Sequence, residues 1–132
     1  MTGLDTGFFV ELLRGNRSAV RIWKTLMGGE GMASCSVLSV FELRRLALMG
    51  KIGGEAVESV VRAIPALVRV MWLDDVHLMD QAARLSQEYG IPAVDSLILA
   101  GLLRAGCSRI YTTDGDLASY RGKGVKVVLM GG

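Results

Sequence analysis

Hydrophobic residues fall into short runs separated by glycine, and the shortest of these runs predict strands. The runs contain small, β-branched or aromatic residues and end at polar positions. They lie at 1–5, 32–36, 68–73, 109–112 and 126–130. The first is weak because Thr2 and Gly3 stand where a strand usually carries larger apolar side chains. Run 68–73 is nearly all apolar, which predicts a strand buried on both faces.

Longer segments carry apolar residues at helical spacing and predict helices. They lie at 6–14, 17–27, 37–49, 55–64, 76–89 and 93–105, with a turn or short helix at 115–120. Asn16 and Ser36 are suited to cap the second and third helices, and either Asp74 or Asp75 caps the fifth.

Strands and helices alternate along the chain, which predicts an α/β fold. Its parallel sheet is covered by helices on both faces, and ligands of such sheets bind outside the carboxyl ends of the strands. The 132 residues, 51% hydrophobic and 21% charged, predict a single domain over 1–132.

Charge and composition exclude several classes of protein. A net charge of +2 is too small to indicate a polyanion partner by itself. Asp5 interrupts the start of a secretory signal, and no apolar run is long enough for a membrane span. Cys35 and Cys107 lack a CxxC spacing, which favours buried thiols in a reduced, cytoplasmic setting. The single histidine, His77, excludes a multi-histidine zinc site.

Four acidic residues are candidates for chemistry. Asp5 and Asp114 follow predicted strands, so both belong to the carboxyl edge of the sheet. Asp95 lies in the first turn of a helix that is apolar nearly all round. Glu42 shares a helical ridge with leucines four positions away on either side. We therefore expect the four carboxylates to meet at one edge of the sheet.

Each acid also has a local interpretation. Asp5 and Asp114 are suited to be helix N-caps, and Asp95 is favoured by the helix dipole. Glu42 has two such interpretations, a capping box with Ser39 and an ion pair with Arg45. Function is favoured by their joint placement, because converging carboxylates repel unless a cation lies between them. A ligand set of oxygens alone selects Mg²⁺ or Mn²⁺.

At this point the motifs resemble those of a known family. Asp5 lies within Leu4-Asp5-Thr6, Glu42 within VFEL, Asp95 within VDSLILA, and Asp114 within TTDGD. In order and spacing these motifs resemble the PIN-domain ribonucleases over essentially the whole chain, and the size resembles that of the small VapC-type toxins. The resemblance implies a three-layer α/β/α sandwich around a mainly parallel sheet. It also implies a metal-dependent endoribonuclease that cuts RNA, forms a homodimer and is inhibited by a cognate antitoxin.

The resemblance also implies a role for individual residues. The catalytic acids would be Asp5, Glu42, Asp95 and Asp114, with Asp5, Asp95 and Asp114 as the principal ligands of Mg²⁺ or Mn²⁺. Supporting residues would be Thr6, Thr112 and Asp116. Beside Glu42, Arg44 and Arg45 are candidates for RNA contact by their position.

Two other functions stay open at this stage. One is a catalytically inactive PIN-like binding module, in which the acids only cap helices. The other is a receiver-like phospho-acceptor domain, which also clusters acids at the carboxyl edge of a parallel sheet. A receiver needs an acid pair after the first strand, whereas Thr6 follows Asp5, so the sequence disfavours it.

Overall fold

A computed structural model describes residues 1–131, so only Gly132 of the predicted domain 1–132 lies outside the described residues. The strands are β1 (Thr2–Leu4), β2 (Ala33–Ser36), β3 (Arg69–Met71), β4 (Arg109–Thr112) and β5 (Lys126–Leu129). The α-helices are α1 (Thr6–Leu13), α2 (Arg17–Met27), α3 (Val37–Leu48), α4 (Gly54–Leu67), α5 (Val76–Tyr89) and α6 (Ala93–Arg104). A single 3₁₀ turn, Leu117–Ser119, precedes β5. No helix in the described range is long and apolar enough to cross a membrane.

The five strands form one parallel sheet in the order β3-β2-β1-β4-β5. Helices cover both faces, which confirms the predicted α/β/α sandwich. The short strand β1 is central, with Leu4 in register with Tyr111 of β4. The strand order reverses between β1 and β4, and this reversal marks the edge where ligands of open α/β sheets bind.

Polar side chains fix the starts of three helices. Asn16, Ser36 and Asp75 each accept a hydrogen bond from a backbone amide in the first turn of α2, α3 and α5. The predicted caps of α2 and α3 are confirmed, and Asp75 rather than Asp74 caps α5. The last of these helices ends at Gly90, whose φ of 68° lies in the left-handed region that glycine adopts without strain.

Two buried clusters lie on the two faces of the sheet. The first joins Leu4 to Phe8 and Phe9 of α1, Leu43 of α3 and Ile64 of α4. The second is dominated by α5 and α6, with Leu78, Ile98, Leu99, Leu102 and Ile110 fully buried. These clusters hold the central strands from both sides, as expected for a parallel sheet.

Gly3 explains why the first strand looks weak in the sequence. A Cβ at this position would lie 3.0 Å from Cγ1 of Ile110 and 3.2 Å from Cδ1 of Leu102. The absence of a side chain therefore lets the second cluster pack directly onto β1. Close packing, rather than strand propensity, stabilises this strand.

The prediction of a doubly buried strand at 68–73 was wrong. Only Arg69–Met71 forms β3, and this strand lies at the edge of the sheet. Arg69 is exposed, and Trp72, which follows the strand, is 64% exposed. The central place belongs to β1, so β3 has a paired neighbour on one side only.

Candidate active site

Asp5 lies at the switch point of the sheet, directly after β1. Its amide donates to the carbonyl oxygen of Tyr111 over 3.0 Å, which extends the pairing of β1 with β4. Its side chain is 4% exposed and accepts a 2.6 Å hydrogen bond at Oδ2 from the Thr112 hydroxyl. The next residue begins α1, yet the Asp5 side chain makes no capping hydrogen bond to that helix. The helix-cap interpretation of Asp5 is therefore wrong.

The Asp5 carboxyl has a raised pKa. Burial is the main cause, and the hydrogen bonds from the Thr112 hydroxyl and from the Thr6 backbone oppose it. The negative charges of Glu42 and Asp114 raise the pKa further. Residues far apart along the chain therefore share one electrostatic environment around Asp5.

A second group of acids lies beside Asp5. Asp95, at the start of α6, and Asp114 and Asp116, after β4, each place one carboxylate oxygen within 4.8 Å of the others. The Asp114 amide donates to Thr112 Oγ1 over 2.9 Å, and its Oδ1 accepts from the Asp116 amide over 2.8 Å. The helix-cap interpretation of Asp114 is therefore wrong, because Asp116 precedes the 3₁₀ turn and the Asp114 carboxylate instead closes a turn in its own loop.

Asp95 carries the clearest sign of crowded negative charge. Its pKa is raised to about 7, first by burial, then by its hydrogen bond to Asp114 and the charge of that group. Asp5 and Glu42 add smaller contributions of the same sign. The structure thus brings together all four acids named from the sequence. Their catalytic and metal-binding roles stay predictions.

A residue of α1 fixes the side chain of Glu42 by a hydrogen bond. The Thr6 hydroxyl donates to Glu42 Oε1 over 2.6 Å, and the Ser39 hydroxyl lies 2.9 Å from that of Thr6. Since α3 begins at Val37, the capping box with Ser39 was wrong. Within residues 1–131, Glu42 also forms no ion pair with Arg45.

Sequence reasoning missed two residues that shape the site. Ser39 is fully buried and hydrogen-bonded to Thr6, although only its spacing from Glu42 marked it. Gly7 lies so close to the loop after β4 that a Cβ there would be 2.0 Å from Thr113 Oγ1. The only sequence signal for Gly7 was its place directly after Asp5 and Thr6.

The two arginines beside Glu42 differ. Arg44 forms an ion pair with Glu58 of α4, which holds the pKa of Glu58 below its usual value. Arg45 is exposed, has no ion-pair partner among residues 1–131, and lines a cleft with Thr6 and Glu42. Of the two predicted RNA contacts, the structure leaves Arg45 free for an anion.

The ligands available at this edge fit a hard divalent cation. Asp95, Asp114 and Asp116 offer carboxylate oxygens at close range, and the raised pKa of Asp95 reflects burial and the negative charge of its neighbours. The thiols of Cys35 and Cys107 are buried, with pKa values raised by burial to about 12 and about 11. The acidic cluster of Asp95, Asp114 and Asp116 contains carboxylate oxygens alone, and such ligands suit hard divalent cations.

Three solved structures with a similar fold are named as toxins or toxin–antitoxin complexes. VapBC2 from Rickettsia felis, bound to a DNA fragment from its promoter, superposes with a TM-score of 0.72 at 14% identity, covering 99% of this chain and 100% of that one. A toxin–antitoxin complex from Klebsiella pneumoniae gives 0.70 at 18% identity, covering 97% and 96%. VapC20 from Mycobacterium tuberculosis, a toxin that cleaves the sarcin–ricin loop, gives 0.68 at 22% identity, covering 90% and 94%. At these identities the likeness establishes the fold.

The sequence itself gives the family. No curated protein sequence matches this chain. The family model of the PIN domain matches residues 4–123, a range that contains Asp5, Glu42, Asp95, Asp114 and Asp116. The chain therefore belongs to the PIN domain family.

Proposed function

We propose that this protein is a metal-dependent endoribonuclease that hydrolyses phosphodiester bonds in RNA. The observation that carries the proposal is the meeting of Asp95, Asp114 and Asp116 within 4.8 Å, beside the buried carboxyl of Asp5. Such crowding is costly without a counter-charge, and sites with strongly perturbed carboxyl pKa values are commonly functional.

The side chains have separable roles in this proposal. Asp5 is held by Thr112, which leaves Oδ1 free of that hydrogen bond. Glu42 is held at Oε1 by Thr6, so Oε2 is available to accept a proton from an attacking water. Asp114 is fixed by the turn that it forms with Asp116. These contacts set the positions of the acids before substrate arrives, which keeps reorganisation during the reaction small.

Mg²⁺ or Mn²⁺ would be held by Asp95 and Asp114, which lie within 4.8 Å of each other and of Asp116. Asp5, whose pKa is raised by the charge of Asp114, would be the further ligand from β1. When bound, the cation lowers the pKa of a water and neutralises charge that develops on the phosphate. The chain contributes the carboxylates, their anchoring hydroxyls and the half-buried setting that strengthens electrostatic contacts.

Cleavage of RNA by the purified protein tests the proposal. We expect cutting of a mixed RNA substrate with Mg²⁺ or Mn²⁺ and none with EDTA. Asp5→Asn and Asp95→Asn should each reduce the rate at least about a hundredfold, since a catalytic carboxylate is replaced by a neutral amide. Asp80→Asn is the matched control, because Asp80 is exposed on α5 and paired with Arg84.

The outcome separates this function from its alternative. If folded Asp5→Asn and Asp95→Asn proteins cut RNA as fast as the parent, the catalytic assignment is wrong. Failure of the parent to cut any RNA with either metal favours the catalytically inactive binding module. Circular dichroism of each variant shows that lost activity does not reflect lost structure.

We further propose that the protein is the toxin of a toxin–antitoxin pair, acts in the cytoplasm and forms a homodimer. Support comes from the neighbours in fold that are VapC toxins or toxin–antitoxin complexes. Large apolar side chains at the surface offer contact area for protein partners, among them Met27, Met32, Trp72 and Leu129. Light scattering of the purified protein tests the dimer. Co-expression with the product of the neighbouring reading frame should suppress RNA cleavage.

A further inference from the structure

A cleft of about 270 Å³ borders the acidic site on the side of α3. Its walls are Leu38, Phe41 and Leu46 of α3 and Val94 at the start of α6, and Arg45 lies at its border. This volume lies just below the usual range for small-molecule sites, roughly 300–1,000 Å³. The cleft therefore fits one planar ring rather than a folded element.

The cleft is continuous with the predicted catalytic residues. Thr6 and Glu42, which hydrogen-bond to each other, form part of its lining. Phe41 directly precedes Glu42, and Val94 directly precedes Asp95. A ligand bound between these walls would therefore lie next to Glu42, at the border of the acidic site.

An exposed aromatic ring is the main feature of the cleft. Phe41 is 62% exposed, whereas Leu43, two positions later on the same helix, is fully buried. A flat apolar ring at the wall of a polar site is suited to stack on a nucleobase, and such stacking does not depend on base identity. Val94, 44% exposed, supplies a second apolar surface for the same ring.

The charge of the cleft matches a nucleotide. Arg45 is one helical turn after Phe41, lines the same cleft and has no ion-pair partner among residues 1–131. Its neighbour Arg44 is already neutralised by Glu58. A base on Phe41 would therefore bring its phosphate within reach of the one free guanidinium at this border of the site.

From these contacts we propose that the cleft is a nucleotide subsite for single-stranded RNA. Phe41 stacks on an unpaired base adjacent to the scissile phosphate, and Arg45 binds a backbone phosphate. The proposal rests on the proposed nuclease function for its biological meaning, but it concerns binding and needs no cleavage. It makes RNA with an unpaired base at this position the preferred substrate.

Binding without cleavage tests the subsite. The probe is a fluorescein-labelled single-stranded RNA of about ten nucleotides, and its anisotropy is measured with the full chain in EDTA. Phe41→Ala should weaken binding about tenfold, in the range found for loss of one base stack. Leu48→Ala, an 89% exposed apolar residue on α3 outside the cleft, should leave the Kd unchanged.

The salt dependence separates the two roles. Arg45→Ala should lower the slope of log Kd against log salt by about 0.7, the value for one phosphate contact with a single strand. Phe41→Ala should keep the parent slope, because stacking releases no counterion. Lys51→Ala, which removes an exposed cation outside the cleft, should change the slope less than Arg45→Ala.

An abasic scan of the same RNA identifies the stacked base. At one position of the RNA, removal of the base should raise the Kd of the parent. The same removal should leave the Kd of Phe41→Ala unchanged. If Phe41→Ala and Arg45→Ala bind every RNA like the parent, the subsite is overturned and the cleft is left to a side chain of a protein partner. If the parent fails to cut RNA but these binding differences are observed, the nuclease function is overturned and the subsite is supported.

Discussion

The Thr112 hydroxyl donates a 2.6 Å hydrogen bond to Asp5 Oδ2, joining residues 107 positions apart along the chain. The same oxygen of Thr112 accepts from the Asp114 amide over 2.9 Å. One buried side chain therefore fixes two acids of the candidate site, at the point where β1 and β4 lie side by side. The bond to Asp5 also opposes the rise in the pKa of that carboxyl.

Replacement of this hydroxyl should affect both acids. Thr112→Val keeps the shape of the side chain but removes the donor to Asp5 and the acceptor for Asp114. We expect the free energy of unfolding to fall by about 1–3 kcal/mol, as for a buried polar group left without its partner. Urea denaturation in EDTA measures the loss. Thr112→Ser keeps the hydroxyl and should recover most of it, and equal losses in both variants would contradict the role of the hydrogen bond.

Asp95→Asn should stabilise the metal-free protein at neutral pH while it reduces the rate of RNA cleavage at least about a hundredfold. The folded state raises the Asp95 pKa from 3.8 to about 7, so ionisation opposes folding. Protonated Asp95 makes its full contribution to the free energy of unfolding below about pH 4. The contribution is lost as the pH rises toward 7, and it stays lost at higher pH. At pH 8 the neutral amide should add roughly 1–2 kcal/mol, a figure reduced from the full shift because Asp95 is only partly buried.

Urea denaturation in EDTA between pH 5 and pH 8 measures this effect. The parent should lose stability across the interval, and Asp95→Asn should show a flatter profile. Asp5 contributes in the same direction, because its pKa is also raised. Added Mg²⁺ should stabilise the parent at pH 8 more than the variant, since binding to the folded state adds to its stability. An identical pH profile for both proteins would contradict the crowding of charge around Asp95.

Gly7 should tolerate no larger residue. A Cβ there would lie 2.0 Å from Thr113 Oγ1 and 2.9 Å from the Thr113 amide nitrogen, so α1 or the loop that carries Asp114 must move. Gly7→Ala should cost about 1–3 kcal/mol despite the higher helix propensity of alanine. Gly54→Ala, at the start of α4 with open space around it, is the control and should be neutral or stabilising. Thermal unfolding of both variants measures the difference, and comparable melting temperatures would contradict the close approach.

The layers of the fold were predictable because their signals are local. Apolar spacing, glycine breaks and capping side chains gave the alternation of strands and helices, and alternation implies a parallel sheet. The error at 68–73 arose because an apolar run cannot show whether its strand is central or at an edge. Gly3 shows the converse, since the propensity of β1 is low and its stability comes from the close packing of Ile110 and Leu102.

Within the candidate site, the positions of the acids that directly follow strands could be predicted from the sequence. Asp5 and Asp114 follow adjacent strands, so their meeting follows from the sheet alone. The partners of Glu42 were not predictable, because hydrogen bonds between α1 and α3 depend on how two helices pack. Asp116 was named only as a supporting residue, yet its carboxylate lies within 4.8 Å of those of Asp95 and Asp114. A tight turn of this kind depends on backbone geometry after β4, which side-chain spacing does not give.

The hydroxyls of Thr6 and Ser39 should position Glu42 rather than act on substrate. Thr6 has one hydroxyl hydrogen, and Glu42 Oε1 takes it over 2.6 Å. The hydroxyl of the fully buried Ser39 lies 2.9 Å from the Thr6 hydroxyl and helps to fix its position. Thr6→Val removes the donor without a change of shape. It should lower kcat for RNA cleavage about tenfold with KM little changed, and Thr6→Ser should restore kcat.

A double-mutant cycle with Glu42→Gln shows whether Thr6 acts through Glu42. If the two residues work as a unit, Thr6→Val should cause no further loss of kcat in the Glu42→Gln background. The coupling should also appear in the free energy of unfolding measured in EDTA, where no reaction occurs. Additive losses in both measurements would show that Thr6 and Glu42 act independently, and Glu42 would then owe its position to the packing of α3 alone.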